Sequence, residues 1–232
     1  MSINKGLSFL KKIIYNITPF TTIDYKDHLS CIVWFIHCNM QCQYCYNCNI
    51  VSAKNGQYML EDLYSFLKKR VGLLDAVVLS GGEATIHNLL PICKEIKEFG
   101  FKIKLDTNGT NPKLLEILLK RNLLDFVSLD FKSTKEKFKY ITKSSLYDRF
   151  LSSLKFLVNS SIDYEVRTTL HRDLLDEKDI NEMQKVLSEN GYIKTFYIQN
   201  FLEEENFTNL KQSSTSFDCF KLDKILDISF RN

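Results

Sequence analysis

Residues 75–106, DAVVLSGGEATIHNLLPICKEIKEFGFKIKLD, contain an apolar run, a glycine turn, a segment with helical spacing and a second apolar run. The run at 76–79 is continuously apolar, which is typical of a parallel strand covered on both faces. Residues 87–99 place apolar side chains three and four positions apart, as an outer helix does. This stretch therefore predicts two parallel strands joined by a helix.

The same alternation of short apolar runs and helical segments continues along most of the chain. The predicted strands are 31–37, 75–80, 101–106, 125–130, 163–170 and 194–201, and the predicted helices are 58–70, 87–99, 111–121, 147–160 and 177–190. Most of these strands lack polar alternation, so we expect both faces to be buried. The pattern predicts one α/β domain over residues 1–232, with parallel strands and outer helices, and leaves an open doubly wound sheet and a barrel as alternatives.

The two ends of the chain are less regular. Residues 1–22 are interpreted as an N-terminal extension, and residues 202–232 as a C-terminal tail. The tail begins with a polar loop over 202–216, and its last segment, DKILDISFRN (223–232), can supply one more small strand.

The composition excludes some classes of partner. With 31 basic and 28 acidic residues the net charge is +3, too small to favour nucleic acid or a membrane surface. No apolar run approaches the roughly 20 residues that span a bilayer. Lys11 and Lys12 interrupt any signal-peptide core, so we expect a cytoplasmic protein.

The cysteines are concentrated in one place. Residues 37–48, HCNMQCQYCYNC, hold four of the chain's seven cysteines, three of them spaced C-x3-C-x2-C at Cys38, Cys42 and Cys45. Zinc usually takes two separated Cys/His pairs, and no second pair follows. Three thiolates instead fit three corners of a cubane iron–sulfur cluster and leave one iron open to a small molecule. Cys48 is then a bystander, because a fourth thiolate would occupy that iron.

The remaining cysteines have a simpler interpretation. Cys31, Cys93 and Cys219 lie in apolar or amphipathic stretches, and we expect them to be small buried side chains.

The ends of the first four predicted strands carry distinctive motifs. The first strand runs into the cysteines, and the next three run into SGGEAT, DTNG and DFK. Ligands bind at the carboxyl ends of parallel strands in both sheets and barrels. We therefore expect the four motifs to lie on one rim.

The spacing C-x3-C-x2-C, with Tyr44 before the third cysteine and GGE after the second strand, resembles the radical S-adenosylmethionine (SAM) enzymes. The resemblance implies a partial (β/α)6 TIM-like barrel and a [4Fe-4S] cluster bound by Cys38, Cys42 and Cys45. It also implies that the reduced cluster cleaves SAM to a 5′-deoxyadenosyl radical, so that the cluster and SAM, rather than side chains, are the catalytic groups.

The resemblance also implies a set of SAM-binding residues. Gly81 and Gly82 would let the backbone approach the ligand, and Glu83 would hold the methionine amino group; Ala84 stands where the family usually has proline. LDTNG (105–109) and LDFKS (129–133) resemble the activating enzymes of glycyl-radical proteins. They imply a carboxylate-binding group around SAM, with a monovalent cation as a further expectation, formed by Asp106, Thr107, Asp130 and Lys132.

Each of these residues also has an ordinary structural interpretation. Asp and Asn are favoured in turns, and a lysine can be solvated. Arg167, inside an apolar strand, either contacts the cofactor carboxylate or pairs with a structural acid. By resemblance, Asn47 contacts the cofactor and Tyr44 packs on the adenine.

Within the family, the nearest pattern is that of the activating components of anaerobic ribonucleoside-triphosphate reductases. It implies that the radical abstracts a hydrogen from a glycine of that reductase, and that a flavodoxin or ferredoxin-like protein donates electrons. The chain departs from this pattern in DYKD (24–27) for DYPG, His37 for a glycine, Tyr46 for a histidine, and Cys48.

Two other functions stay open. One is a small-molecule radical SAM enzyme such as 7-carboxy-7-deazaguanine synthase. The other is a metal-binding or electron-transfer module that uses Cys48 as a fourth ligand and cleaves no cofactor.

Overall fold

The structure, a computed structural model, describes residues 11–231. These residues divide into two compact units, the first containing residues 11–38, 49–107 and 117–127 and the second residues 39–48, 108–116 and 128–231. Residues 1–10 of the predicted N-terminal extension lie outside the described residues.

The described residues form eight strands and seven α-helices, numbered in chain order. Strands β1–β8 are Ile14–Thr21, Ser30–Phe35, Ala76–Gly81, Lys102–Thr107, Phe126–Asp130, Asp163–Leu170, Phe196–Asn200 and Ile228–Arg231. Helices α1–α7 are Cys48–Ser52, Leu60–Lys68, Leu89–Glu98, Pro112–Lys120, Lys135–Thr142, Tyr147–Val158 and Glu177–Glu189. None of these helices has the length and apolar character needed to cross a bilayer.

In the first unit, β2, β3 and β4 are parallel neighbours. Val33 lies opposite Leu79, and Leu79 lies opposite Leu105. β1 pairs with β2 in the antiparallel direction. Helices α2 and α3 each bury an apolar stripe, with Leu63 of α2 and Ile92 of α3 at most 1% exposed. Each such side chain contributes roughly 1.5–3 kcal/mol by leaving water.

In the second unit, β6, β7 and β8 are parallel neighbours, with Val166 opposite Phe196 and Phe196 opposite Ile228. Phe131, just after β5, stacks on Phe150 of α6 with ring centroids 4.5 Å apart, and both rings are fully buried. This aromatic pair anchors the end of β5, where the LDFKS motif begins.

The α/β class with parallel strands is confirmed. All six predicted strands and all five predicted helices are present, the loop over 202–216 has no helix or strand, and β8 is the additional small strand. Closure into a partial barrel and the single-domain organisation stay predictions.

Three elements were not predicted, namely β1, α1 and α5. In β1 only Ile14 is buried and Pro19 lies in its second half, so it has an apolar pattern too weak to recognise. An edge strand tolerates such a proline because its N–H side needs no ladder partner. Half of the residues of helix α5, KEKFKYIT, are charged, and it buries only Phe138, Ile141 and Thr142.

Most of the predicted strands are largely buried on both faces, as expected, but β7 and the second half of β6 alternate between buried and half-exposed residues. One expectation about a cysteine is wrong. Cys31 and Cys93 are buried as expected, but Cys219 is exposed in a short turn, because the C-terminal tail packs few side chains.

Candidate active site

The three spaced cysteines lie in the loop that follows β2. Cys38 belongs to the first unit and is half-buried, while Cys42 and Cys45 belong to the second. The N–H of Cys45 donates to the carbonyl of Cys42 at 3.0 Å, which closes a tight turn. No disulfide joins any of the seven cysteines, all of which lie in the described part of the chain.

The Cys42 thiol is the most deeply buried of the three. Burial raises its pKa to about 12, although the nearby Lys132 ammonium acts in the opposite direction. A metal-bound thiol is deprotonated, so iron binding here releases protons. Within residues 11–231, no three His, Cys, Asp or Glu side chains are arranged around a single metal ion. A cubane differs from such a site because each cysteine binds a different iron atom.

Cys48 has a partner outside the other three cysteines. It is buried at the start of α1, and its thiol donates to the carbonyl of Glu205 at 3.4 Å. This contact gives Cys48 a backbone partner of its own in the second unit. Its exclusion from a cluster stays a prediction.

Gly81 and Gly82 bring the end of β3 against the chain that leads to Cys38. The N–H of Gly82 donates to the carbonyl of Phe35 at 2.9 Å, and that of Glu83 donates to the carbonyl of His37 at 2.8 Å. A Cβ on Gly82 would lie 1.9 Å from the His37 oxygen. These glycines let the end of β3 approach the chain's own backbone, and their expected approach to a ligand stays a prediction.

Glu83 is a buried carboxylate, 2% exposed. Its Oε1 accepts hydrogen bonds from the N–H of Thr85 at 3.1 Å, the hydroxyl of Thr85 at 2.5 Å and the hydroxyl of Thr107 at 2.7 Å. Glu83 and Thr107, both predicted to bind SAM, are thus hydrogen-bonded to each other. This hydrogen bond joins the end of β3 to the end of β4.

Asp106 has a partner that the sequence interpretation did not include. Lys104, on the same face of β4 and 5% exposed, places its ammonium 3.2 Å from Asp106 Oδ1. The hydroxyl of Ser80 donates to Oδ2 at 3.2 Å. Lys104 therefore compensates the charge of Asp106 within the first unit, and a role for Asp106 beside SAM stays a prediction.

Asp130 is held by two cations in the second unit. Arg167 Nε lies 2.6 Å from Oδ1, and Lys132 Nζ lies 3.0 Å from Oδ2. Burial alone would raise the pKa of Asp130, but Arg167 and Lys132 outweigh it and lower the pKa from 3.8 to about 2. Arg167 thus has an acid partner, and that acid is itself a predicted site residue. Asp130 therefore accepts from two cationic side chains, Arg167 and Lys132.

Tyr44 and Asn47 stabilise the cysteine loop. Tyr44 is 3% exposed, and its hydroxyl donates to the carbonyl of Lys132 at 3.1 Å, which links the loop to LDFKS. The backbone N–H of Asn47 donates to the sulfur of Cys45. Contacts of Tyr44 and Asn47 with SAM stay predictions.

The structure adds a polar strand face that the sequence interpretation missed. Arg231 of β8 pairs with Glu165 of β6 at 3.0 Å, and its guanidinium lies 3.3 Å from the ring centroid of Tyr197. The strand registers place further side chains on this face, namely Arg167, Thr169, Gln199 and Ser229. Parallel strands are usually apolar on both faces, and this face departs from that pattern because its side chains are polar and most of them are half-exposed. The sequence signal that could have revealed this face is the polar residue at every second position, 165, 167 and 169.

Known proteins resemble the chain over most of its length. Residues 32–188 match the family model of the radical SAM superfamily. A Methanocaldococcus jannaschii protein named "putative glycyl-radical enzyme activating enzyme" is 30% identical over 187 residues, which cover 78% of this chain and 77% of that protein. The 7-carboxy-7-deazaguanine synthase of Buchnera aphidicola is 25% identical over 170 residues, which cover 71% and 74%.

The fold also resembles solved structures. Streptococcus suis SuiB bound to S-adenosylmethionine matches with a TM-score of 0.65 and 16% identity over 85% of this chain. The chain spans about half of SuiB, 48% of its length.

The chain belongs to the radical SAM superfamily. Membership implies a [4Fe-4S] cluster and SAM as cofactors. The donor set fits both groups: the three thiols of the C-x3-C-x2-C motif are in reduced form, and Lys132 and Arg167 are cationic donors of the kind that bind a carboxylate.

The close approach at Gly82 can be tested by stability. We expect Gly82→Ala to cost about 3 kcal/mol, because the added methyl meets a backbone oxygen that cannot rotate away. Gly72→Ala is the matched control, because its Cβ would meet nothing within 4 Å. Its only penalty is the strain of an alanine at a φ of 76°, which is about 1 kcal/mol. Urea unfolding of the cluster-free protein measures the free energy of unfolding of both variants. Equal losses of stability would contradict the close approach of Gly82 to the His37 carbonyl.

The ion pairs of Asp130 predict a stability change at low pH. Because the folded-state pKa is depressed, the stabilisation is present above pH 4 and is lost as the pH falls towards 2. The lowered pKa corresponds to about 2 kcal/mol. Urea unfolding of the cluster-free protein between pH 5 and 2 should show this loss in the wild type and not in Asp130→Asn. A wild-type curve parallel to that of the variant would contradict it.

The role of Cys48 is tested by iron and sulfide content after anaerobic reconstitution. We expect Cys48→Ala to bind as much iron as the wild type and to lose only about 1 kcal/mol from its hydrogen bond. Cys45→Ala, three residues away, should lose most of the iron. Loss of the cluster in Cys48→Ala would instead support four-cysteine ligation.

Proposed function

We propose that the chain is an activating enzyme that generates a glycyl radical on a partner enzyme, an anaerobic ribonucleoside-triphosphate reductase. The observation that carries this proposal is the match to the M. jannaschii relative, which extends over about three quarters of both proteins, 78% and 77%. The motifs LDTNG and LDFKS, which resemble such activating enzymes, support the same class of substrate.

The cluster would be held by Cys38, Cys42 and Cys45. In the first unit Glu83 would receive the methionine ammonium, because it is a buried carboxylate surrounded by hydrogen-bond donors. In the second unit the methionine carboxylate would meet Lys132 and Arg167, the two cations that bond Asp130.

A monovalent cation is not part of the proposal. The resemblance implied a cation beside Asp106 and Asp130. The Lys104 ammonium lies 3.2 Å from the Asp106 carboxylate. Lys132 and Arg167 form ion pairs with the Asp130 carboxylate. These side chains already supply the positive charge that the cation would bring.

When bound, the cluster and SAM would supply a radical, formed by one-electron cleavage of SAM, that can remove a hydrogen atom from a C–H bond. Hydrogen-atom abstraction needs no general acid or base, so the chain's residues bind, orient and exclude water. The polar face of β6–β8 suits a peptide substrate, because its Glu165–Arg231 pair is internally neutral and Thr169 and Gln199 offer neutral hydrogen-bonding groups.

The alternative of a small-molecule enzyme is less well supported. The match to 7-carboxy-7-deazaguanine synthase has 25% identity, against 30% for the activating-enzyme relative.

Anaerobic reconstitution with the reductase, SAM and dithionite tests the proposal. We expect a glycyl-radical doublet in the electron paramagnetic resonance spectrum of the reductase. Cys45→Ala should give neither the doublet nor SAM cleavage. A reductase whose radical-site glycine is replaced by alanine should give no doublet with the wild-type activase.

SAM cleavage without a doublet, for every candidate glycyl-radical partner, would overturn the assignment. Formation of 7-carboxy-7-deazaguanine from its precursor would establish the alternative.

A further inference from the structure

We propose that the C-terminal end of α5 is the docking surface for an acidic one-electron donor protein. This donor surface consists of Lys139, Tyr140 and Lys143. The proposal rests on the cluster of the proposed function, but it concerns how the electron reaches that cluster and not which substrate is activated.

The donor surface lies directly on the cysteine loop within the second unit. Three consecutive carbonyls at the end of α5 accept hydrogen bonds from two glutamines of the loop. Gln43 Nε2 donates to Tyr140 at 3.0 Å, Gln43 N to Ile141 at 3.0 Å and Gln41 N to Thr142 at 2.9 Å. Gln43 lies between Cys42 and Cys45 in the sequence. The donor surface is therefore hydrogen-bonded directly to the segment that carries two of the proposed cluster ligands.

These bonds have a structural use as well, because they satisfy the terminal carbonyls of a helix. They do not explain what lies on the outside of the same turn. Tyr140 is 61% exposed, and the Lys143 ammonium lies 5.0 Å from its ring centroid. Tyrosine is enriched at protein interfaces, so an exposed tyrosine at this position suits a docking surface.

The charges of the donor surface are available to a partner. Elsewhere on α5, Lys135 pairs with Asp148 at 3.4 Å and Lys137 pairs with Asp179 at 2.6 Å. For Lys139 and Lys143, the described residues place no carboxylate within ion-pair distance. The whole chain has a net charge of only +3, so any attraction for an acidic protein has to be local.

An acidic segment contacts the same loop through different residues. Glu203, Glu204 and Glu205 are exposed, and the carbonyl of Glu205 accepts from the Cys48 thiol at 3.4 Å. The hydroxyl of Thr208 in the same tail donates to the carbonyl of Gln43 at 3.2 Å. Glu203 is paired with Lys211 at 3.2 Å, so we attribute the repulsion to Glu204; attraction by α5 and repulsion by Glu204 together orient the approach of an acidic donor.

The proposed electron transfer balances without any further reactant. One electron would leave the donor's reduced flavin or iron–sulfur group, which would be oxidised by one electron, and would reduce by one electron the cluster that Cys38, Cys42 and Cys45 would hold. No atom is transferred.

Stopped-flow reduction of the reconstituted protein tests the proposal with two reductants. Flavodoxin hydroquinone has to dock, whereas dithionite is a small ion that does not. We expect the double variant Lys139→Glu/Lys143→Glu to be reduced at least 10-fold more slowly by flavodoxin at low salt, and at the wild-type rate by dithionite. The difference should shrink at high ionic strength, where exposed charges are screened.

Matched variants separate the donor surface from a general effect of charge. Lys155→Glu/Lys185→Glu changes the net charge equally at exposed positions of α6 and α7 and should leave both rates unchanged. Glu204→Lys should not slow reduction by flavodoxin. Calorimetric titration of the cluster-free variants with flavodoxin should give the same order of affinities without any redox step.

Two results would overturn the proposal. One is an unchanged flavodoxin rate in Lys139→Glu/Lys143→Glu, and the other is an equal slowing with dithionite, which would show that the lysines act on the cysteine loop itself. Failure of the proposed function is distinguishable, because the glycyl-radical test uses dithionite and the flavodoxin measurements use no reductase.

Discussion

The contact between Gly82 and the carbonyl of His37 is the constraint on which the cysteine loop depends. Because a Cβ on Gly82 would lie 1.9 Å from that oxygen, only glycine lets the end of β3 reach the chain just before Cys38. The next residue, Glu83, bonds His37 through its N–H and Thr107 through its carboxylate. One backbone approach thus sets the start of the loop, the GGE turn and the end of β4 together.

In the second unit, charge compensation has the same organising effect. Asp130 is only partly solvated, so its carboxylate needs the two cations that bond it, Arg167 and Lys132. The carbonyl of Lys132 in turn receives the hydroxyl of Tyr44 from the cysteine loop. The residues expected to bind the cofactor therefore orient one another first, and a site held in this way is preorganised for its ligand.

Much of the fold was predictable because continuous apolar runs such as 76–79 and the helical spacing of 87–99 are local signals. The elements that were missed had weak local signals. Only one residue of β1 is buried and half of the residues of α5 are charged, and both elements are stabilised by neighbours distant in sequence. The site was predictable as a set of residues but not as a set of contacts. No spacing rule indicated that Lys104 pairs with Asp106, that Arg231 reaches Glu165, or that the glycines approach backbone.

The sequence by itself determined the class of fold, the three spaced cysteines and the family, because strand length, helical period and ligand spacing are properties of neighbouring residues. Only the tertiary structure decided which charges compensate one another, which face of β6–β8 is polar, and what lies against the cysteine loop. Those relations join residues such as Gln43 and Tyr140, 97 positions apart, whose proximity follows from packing and not from any local preference.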